Sequence, residues 1–309
     1  MPTLLDFRRR IRSVKNTQQI TRAMKFVAAA RLRRAQESAL AARPYAEELA
    51  RMLRSIMSRI EEPQHPLLAK RPEQNVLVIV LSGERGLAGA FNSNILRKAN
   101  DFIRKQSGKK IVAIPVGKKG RDSLKKAGFQ FAAEYVNVLA KVEFSVARDI
   151  ATLVTELYTK EEIDAVYIVF SEFKSVMTAN LVVQKLLPVE EVRKSDDKGR
   201  DADKQKDAHS ANGKESEKKE DETPIDYIYE QPEELLLGKL LPRYIETQIL
   251  RSMLESSAAE YAARMVAMDS ATKNAGDVIE ALTLHMNKVR QAAITKEIIE
   301  IVSGANYGA

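Results

Sequence analysis

The chain has 309 residues, 44% of them apolar, and its 50 Lys and Arg residues against 42 Asp and Glu residues give a net charge of +8. A chain of this length can form two ordinary domains with buried cores. The absence of cysteine excludes disulfides, thiolate nucleophiles and Cys-ligated metals, and His65, His209 and His285 lack the spacing of a metal site. No segment approaches the roughly 18 to 20 continuous apolar residues of a membrane-spanning helix. We therefore expect no metal, no cofactor and no bilayer crossing, and a reducing, cytoplasmic compartment fits this composition.

The N-terminal segment is strongly basic. Residues 1–36 hold one acid, Asp6, against ten basic residues: Arg8, Arg9, Arg10, Arg12, Lys15, Arg22, Lys25, Arg31, Arg33 and Arg34. Organelle transit peptides are also Arg-rich and acid-poor, but here the helical pattern continues without a break, so we interpret the segment as mature protein. The charge predicts a solvated helix face or an acidic partner. Nucleic acid is the weaker partner, since only Phe7 and Phe26 could stack and no helix-turn-helix, zinc-finger or RNP motif follows.

The C-terminal third contains a heptad seam. Residues of this seam follow one another in alternating steps of four and three: Leu254, Ala258, Tyr261, Met265, Met268, Thr272, Ala275, Ile279, Leu282, Met286, Val289 and Ala293. One face of an ordinary globular helix drifts off a 3.5-residue repeat, so a run of this length predicts a helix over 233–309 that packs along another helix. We expect an early turn or a kink at Pro242 and a weak point at Gly276.

A second seam lies near the N-terminus, where the same steps join Ala28, Leu32, Ala35, Ala39, Ala42, Ala46, Leu49, Leu53, Ile56 and Ile60. It predicts a helix over 1–62, with a kink near 41–43 because Pro44 removes one backbone hydrogen bond. Two seams imply two partnered helices, and we expect the ends of the chain to form one long antiparallel coiled coil.

Between the seams the pattern changes to short apolar runs that alternate with amphipathic helices, which is typical of a parallel α/β domain. We predict a Rossmann-like domain over 75–192. Its strands are predicted at Val76–Leu81, Ile111–Val116, Ala165–Phe170 and Leu181–Leu187, with a helix at Phe144–Tyr158.

The loop Ser82–Gly89 follows a strand and opens a helix, where a nucleotide-binding fold would hold phosphate. Its G-x-x-G-x-x-G spacing differs from the G-x-G-x-x-G of dinucleotide sites, and no Gly-Lys-Ser/Thr completes a P-loop. We favour a tight turn whose glycines permit positive φ and close packing.

A charged segment over 193–224 contains no Val, Ile, Leu, Met, Phe, Tyr or Trp and predicts a disordered insert. We hypothesise that deletion of residues 195–221 leaves folding and assembly intact.

Three classes of function remain open: a shaft, a basic coiled-coil protein that binds nucleic acid, and an α/β nucleotide enzyme with helical arms. The enzyme is the weakest, because no phosphate loop, base and nucleophile occur together. Salt-dependent duplex binding would favour the second class, and intrinsic ATP binding the third.

Motifs at both ends closely resemble the gamma subunits of F-type ATP synthases. The N-terminal run Ile11–Lys25, IRSVKNTQQITRAMK, and the following Val27-Ala28-Ala29 resemble the opening helix of that family. The C-terminal pattern Ile294-Thr295-x-Glu297-x-x-Glu300-x-x-x-Gly304-Ala305 matches its signature, and Arg264–Met268 and Arg290–Ala292 keep the same register. The family usually has Asp and often Cys where this chain has Glu84 and Ala88, and its typical bacterial members lack the charged insert.

The resemblance implies a non-catalytic central rotor stalk. Its coiled coil would turn inside a hexamer of alternating alpha and beta subunits, driven by proton or sodium flow through the membrane ring of c subunits. Catalysis would belong to the beta subunits, whose conformations the stalk would shift by differential contact. The implied location is peripheral, on the cytoplasmic face of the bacterial inner membrane.

The resemblance also implies individual contacts. Arg290 and Gln291 would bind beta-subunit loops as a catch, Arg264 would make a second contact, and Lys25 would face an acidic loop of the beta subunit. For Lys25 and Arg264, plain surface charge is an equal alternative. Tyr229 and Glu230 would lie at the foot of the stalk, against the rotor ring and the epsilon subunit.

Overall fold

The computed structural model describes residues 3–57, 65–106, 108–189 and 232–307. We number the helices and strands in chain order: α1 Leu4–Met57, β1 Asn75–Leu81, α2 Phe91–Lys105, β2 Lys110–Val116, α3 Lys118–Lys126, β3 Gln130–Phe131, α4 Phe144–Thr159, β4 Ala165–Phe173, β5 Ala179–Leu187 and α5 Glu233–Tyr307. A short 3₁₀ helix, Pro66–Leu68, precedes β1. The mixed α/β fold and the long helices at both ends confirm the predicted fold class. The predicted insert at 193–224 lies outside the described residues.

The five strands form one sheet in the order β3-β2-β1-β4-β5. The first four run parallel, and β5 runs antiparallel to β4 at the edge. Central strand β1 is buried from Val76 to Leu81, because helices cover both faces of a parallel sheet. The sequence pattern indicated a parallel unit, but β4 and β5 are joined by the short turn Lys174–Thr178, which permits only an antiparallel pair.

The chain packs as two units, and each contains part of both long helices. Unit 1 comprises the described residues of Met1–Arg33, Leu87–Gly89 and Glu260–Ala309, and unit 2 those of Arg34–Gly86 and Ala90–Ala259. The predicted domains followed the order of elements along the chain. The packed units instead divide α1 and α5, because the inner part of each helix shares its core with the sheet.

In unit 2, the core lies between one face of the sheet and helices α1, α4 and α5. It joins Leu77, Ile79 and Leu81 of β1 to Ile150 and Val154 of α4, to Leu53 and Ile56 of α1, and to Leu241, Ile245 and Ile249 of α5. These α1 residues are the predicted seam positions, spaced so that they fall on one helical face. Pro44 lies within the continuous helix α1, and Pro242 lies well inside α5 rather than in its first turn. The kinks stay predictions.

In unit 1, α1 and α5 run antiparallel as a coiled coil. The ring of Phe7 packs on His285 with centroids 5.0 Å apart, Thr21 contacts Thr272, and Arg31 lies over Tyr261. Residue numbers therefore rise along α1 as they fall along α5. The predicted N-terminal seam began at Ala28, whereas the buried and half-buried positions continue to the start of the helix: Leu4, Phe7, Ile11, Val14, Gln18, Thr21 and Lys25.

Candidate functional site

The loop after β1 caps the N-terminus of helix α3. Three consecutive amides of that helix donate to three consecutive residues of the loop. The amide of Lys118 donates to Glu84 Oε2 at 3.0 Å, that of Lys119 to the Gly83 carbonyl at 3.1 Å, and that of Gly120 to Ser82 Oγ at 2.7 Å. Amides at such a position bind phosphate in nucleotide-binding folds. Here the protein's own loop engages them, which argues against a phosphate at the start of α3.

Two glycines permit this close approach of the loop and the helix. At Gly117, φ is +103°, and an added Cβ would lie 1.9 Å from the Ser82 carbonyl oxygen. At Gly120, an added Cβ would lie 2.6 Å from Ser82 Oγ. Sequence reasoning assigned close packing to the glycines of the loop, and the structure also requires glycine at these two positions after β2. Within the loop, positive φ occurs at Leu87 and Gly89.

The tip of the loop packs on helix α5 within unit 1. An added Cβ on Gly89 would lie 3.7 Å from the Ala267 Cβ, which is an ordinary van der Waals distance. Ala88 is buried, whereas Leu87 is exposed. The positive φ at Gly89 agrees with the tight turn that the sequence reasoning favoured.

Lys25, a predicted beta-subunit contact, lies at the helix pair of unit 1. Its Nζ atom is 2.5 Å from Asp269 Oδ1, and Lys273 approaches the other oxygen of the same carboxylate at 3.1 Å. These two hydrogen bonds lower the pKa of Asp269. About a third of each side chain of the Lys25–Asp269 pair is exposed, so the pair faces solvent on one side. The sequence reasoning missed Asp269, because its partner is 244 residues away.

Arg264, the second predicted contact, is held within its own helix. It donates to Glu260 Oε1 at 2.6 Å, and only 14% of its side chain is exposed. Its guanidinium lies 5.8 Å from the centre of the Tyr261 ring, and the guanidinium of Arg31 lies at the same distance from that ring. These contacts give Arg264 a structural role in unit 1. Only a small part of its side chain is accessible to a partner protein.

Arg290 and Gln291, the predicted catch, lie on the exposed face of α5. The neighbouring seam residues Val289 and Ala293 are half-buried, so the two polar side chains lie beside the seam and face outward. In the described part of the chain, Arg290 makes no hydrogen bond or ion pair. Its donors can therefore bind a carbonyl or carboxylate of another molecule.

Tyr229 and Glu230, the predicted foot contacts, lie outside the described residues. The exposed basic residues of α1 lie on the outer face of the helix, as the sequence pattern predicted. Among described residues, no group of three or more His, Asp and Glu side chains could hold a metal ion. No helix in the described ranges is long and apolar enough to cross a membrane.

Comparisons with known proteins place these features in one family. The family model described as ATP synthase matches residues 3–306. The ATP synthase gamma chain of Solibacter usitatus is 45% identical over 309 residues, covering 99% of each chain, and that of Chloroherpeton thalassium is 44% identical over 313 residues, covering 99% of this chain and 98% of the relative.

Solved structures give the same fold at lower identity. A chain of the Euglena gracilis mitochondrial ATP synthase, solved with OSCP, F1 and the c-ring, has a TM-score of 0.63 and 19% identity and covers 98% of this chain and 93% of its own length. A chain of the rotor of that enzyme has a TM-score of 0.59 and 20% identity, and the match covers 94% of this chain and 98% of the rotor chain.

Proposed function

Because the chain belongs to the family of ATP synthase gamma chains, we propose that it is the central rotating stalk that couples ion flow through a membrane ring to ATP synthesis or hydrolysis. The coupling role follows from the family. For this chain, the main support for the coupling role is that α1 and α5 pair antiparallel in unit 1 as a two-helix coiled coil. Catalysis is assigned to the beta subunits, and this chain acts on them mechanically.

The proposed partners are the alpha and beta subunits around the coiled coil, with the epsilon subunit and the ring of c subunits at the other end. The chain would associate with the membrane only through these partners, on the cytoplasmic face of a bacterial inner membrane. Two features support an enclosing partner. Most basic residues of α1 are exposed, and Ile294, Ile298, Ile299 and Ile301 near the end of α5 expose between 49% and 71% of their surface.

The proposed catch consists of Arg290 and Gln291. Both side chains point away from the seam, and the guanidinium can donate two parallel hydrogen bonds to a loop of the beta subunit. Lys25 and Arg264 are proposed as weaker contacts, because each already has an acidic partner within the chain. Tyr229 and Glu230 are proposed to contact the ring and the epsilon subunit.

Co-assembly tests this function most simply. Purified alpha and beta subunits are mixed with the tagged chain, and the captured complex is assayed for ATP hydrolysis. We expect a stable complex whose activity depends on the chain. Binding of duplex nucleic acid that falls steeply with salt, without capture of alpha and beta, would instead support the nucleic-acid alternative.

The catch is tested by Arg290→Ala in the assembled complex. We expect coupled hydrolysis to fall about tenfold, because a charged hydrogen bond contributes roughly 1.5 kcal/mol. Lys288→Ala, on the same exposed turn, is the matched control and should retain most activity. Circular dichroism should show unchanged helicity in both variants. Wild-type rates for Arg290→Ala would remove the catch assignment.

A further inference from the structure

Polar residues interrupt the apolar seam of unit 1 at one level of the coiled coil. We call them the polar layer: Gln18, Thr21 and Lys25 on α1, and Asp269, Thr272 and Gly276 on α5. We propose that the polar layer fixes the register of the two helices in unit 1, and so positions the catch residues at the end of the shaft. This inference rests on the proposed function only where it concerns coupling.

The layer is connected across the helix pair by specific contacts. The side-chain amide of Gln18 donates to the Thr272 carbonyl at 3.3 Å. The hydroxyls of Thr21 and Thr272 lie 2.8 Å apart, and Lys25 pairs with Asp269. Each polar group therefore has a partner on the other helix in the native register.

Gly276 makes room for this arrangement. An added Cβ would lie 3.3 Å from Gln18 Nε2, which is tighter than most contacts of a real Cβ. The sequence suggested that Gly276 is a weak point of α5. The structure adds a reason for glycine here, because the side chain of Gln18 fills the space.

Apolar seam positions alone discriminate poorly between registers. A shift of seven residues returns every seam position to the seam, and Ala, Leu, Met and Ile side chains can pack in either alignment. The polar layer responds differently. A shift of seven residues sets Lys25 beside Ala262 in one direction and beside Gly276 in the other, so the pair of Lys25 with Asp269 is lost in both.

The members of the layer contribute unequally. Thr21 and Thr272 each have a carbonyl of their own helix within hydrogen-bond distance, so their hydroxyls keep a partner in any register. Gln18 and Lys25 instead bond across the pair, to the Thr272 carbonyl and to Asp269, and Asp269 also pairs with Lys273 of its own helix. One half-buried polar group left without a partner corresponds to a preference of about tenfold for the native register.

The absence of cysteine makes the register measurable by cross-linking. Thr21 faces Thr272, and seven residues outward along each helix places Val14 opposite Ile279. The pair Val14→Cys with Ile279→Cys therefore reports the native register. The pair Val14→Cys with Met286→Cys reports a shift of seven residues. Both pairs are oxidised in the chain assembled with alpha and beta subunits and are read by non-reducing electrophoresis.

The test compares the native layer with Gln18→Leu combined with Asp269→Leu. This variant leaves Lys25 in place, so a contact of Lys25 with a partner is retained. We expect cross-linking of the shifted pair to rise about tenfold while the melting temperature stays equal or increases, because polar seam residues specify register at a cost in stability. A loss of packing alone would lower the melting temperature. Lys273→Ala, which removes only the same-helix partner of Asp269, is the matched control and should leave both cross-links unchanged.

The outcomes separate this inference from the proposed function. Unchanged cross-linking of the shifted pair in the double Leu variant overturns the role of the polar layer, even if the complex assembles and hydrolyses ATP. Failure of the Cys-pair chains, which retain the native layer, to assemble with alpha and beta subunits contradicts the proposed function. The register is then read on the full-length chain alone, where the same tenfold rise supports the polar layer and its absence overturns it.

Discussion

The two packed units bury their apolar residues to different extents. In unit 2, Leu53, Ile79, Ile150 and Ile245 are almost completely buried, as in an ordinary globular core. In unit 1, most seam positions beyond Met268 are only half-buried, and Phe26 and Ile301 expose 61% and 71% of their surface. Unit 2 can therefore be stabilised by its own core, whereas unit 1 leaves apolar surface exposed that a surrounding protein would bury.

The largest effect is expected where unit 2 is most tightly packed. Gly117→Ala should lower the free energy of unfolding by about 4 kcal/mol, because the new Cβ would overlap the Ser82 carbonyl and φ is positive. Gly108→Ala is the control, since Gly108 also has positive φ but no atom within 4 Å of an added Cβ. Urea unfolding measures both. Equal losses would show that the loop after β1 can move away from α3.

A smaller effect is expected for leucines of the two units that differ in burial. Leu53→Ala in unit 2 should cost about 3 kcal/mol, and Leu282→Ala in the half-buried seam of unit 1 about 1 kcal/mol. Leu40→Ala, on the exposed face of α1, should change the free energy of unfolding by less than about 0.5 kcal/mol. Similar losses for Leu53 and Leu282 would contradict the difference in burial between the units.

The third effect depends on pH. Glu73 in unit 2 is bound by Lys109 at 2.8 Å, Lys185 at 3.0 Å and the Tyr167 hydroxyl at 2.9 Å. Burial raises the pKa of this carboxyl, but the three hydrogen bonds and the charge of Lys185 lower it to about 2. The folded pKa lies below the ordinary 4.5, so this stabilisation is full above the ordinary value and is lost as pH falls through the folded pKa.

Glu73→Gln should therefore cost about 2 kcal/mol at pH 7 and flatten the fall in stability between pH 5 and pH 2. Denaturation by urea at a series of pH values tests this. Glu143→Gln, in an exposed pair with Lys141, is the control and should change the pH profile little. A wild-type pH profile for Glu73→Gln would show that the carboxylate contributes no net stability.

The sequence was most informative where its pattern depends on local spacing. Alternating steps of four and three identified the N-terminal seam from Ala28 onward and the C-terminal helix. Apolar runs identified the ends of β1, β2, β4 and β5 to within three residues. Two-residue strand β3 was missed, because it is too short to show a pattern. The outer seam from Leu4 to Lys25 was also missed, because Gln18, Thr21 and Lys25 break the apolar pattern.

Contacts between distant parts of the chain were beyond sequence reasoning. The amides of α3 meet the loop after β1 only because β1 and β2 are neighbours in the sheet. Likewise, Asp269 could not be assigned to Lys25 before the register of α1 and α5 was known. The roles of Arg290 and Gln291 came from family resemblance, since an exposed helix face carries no spacing signal of its own.

Rotation of the assembled complex tests the central claim most directly. Met177 lies in the turn between β4 and β5 with 83% of its surface exposed, and the chain has no cysteine, so Met177→Cys provides a single attachment site for a visible probe. The complex with alpha and beta subunits is fixed to a surface and supplied with ATP. We expect continuous rotation of the probe in one direction. A probe that stays stationary on a complex that binds the chain and hydrolyses ATP would contradict the role of this protein as a rotating stalk.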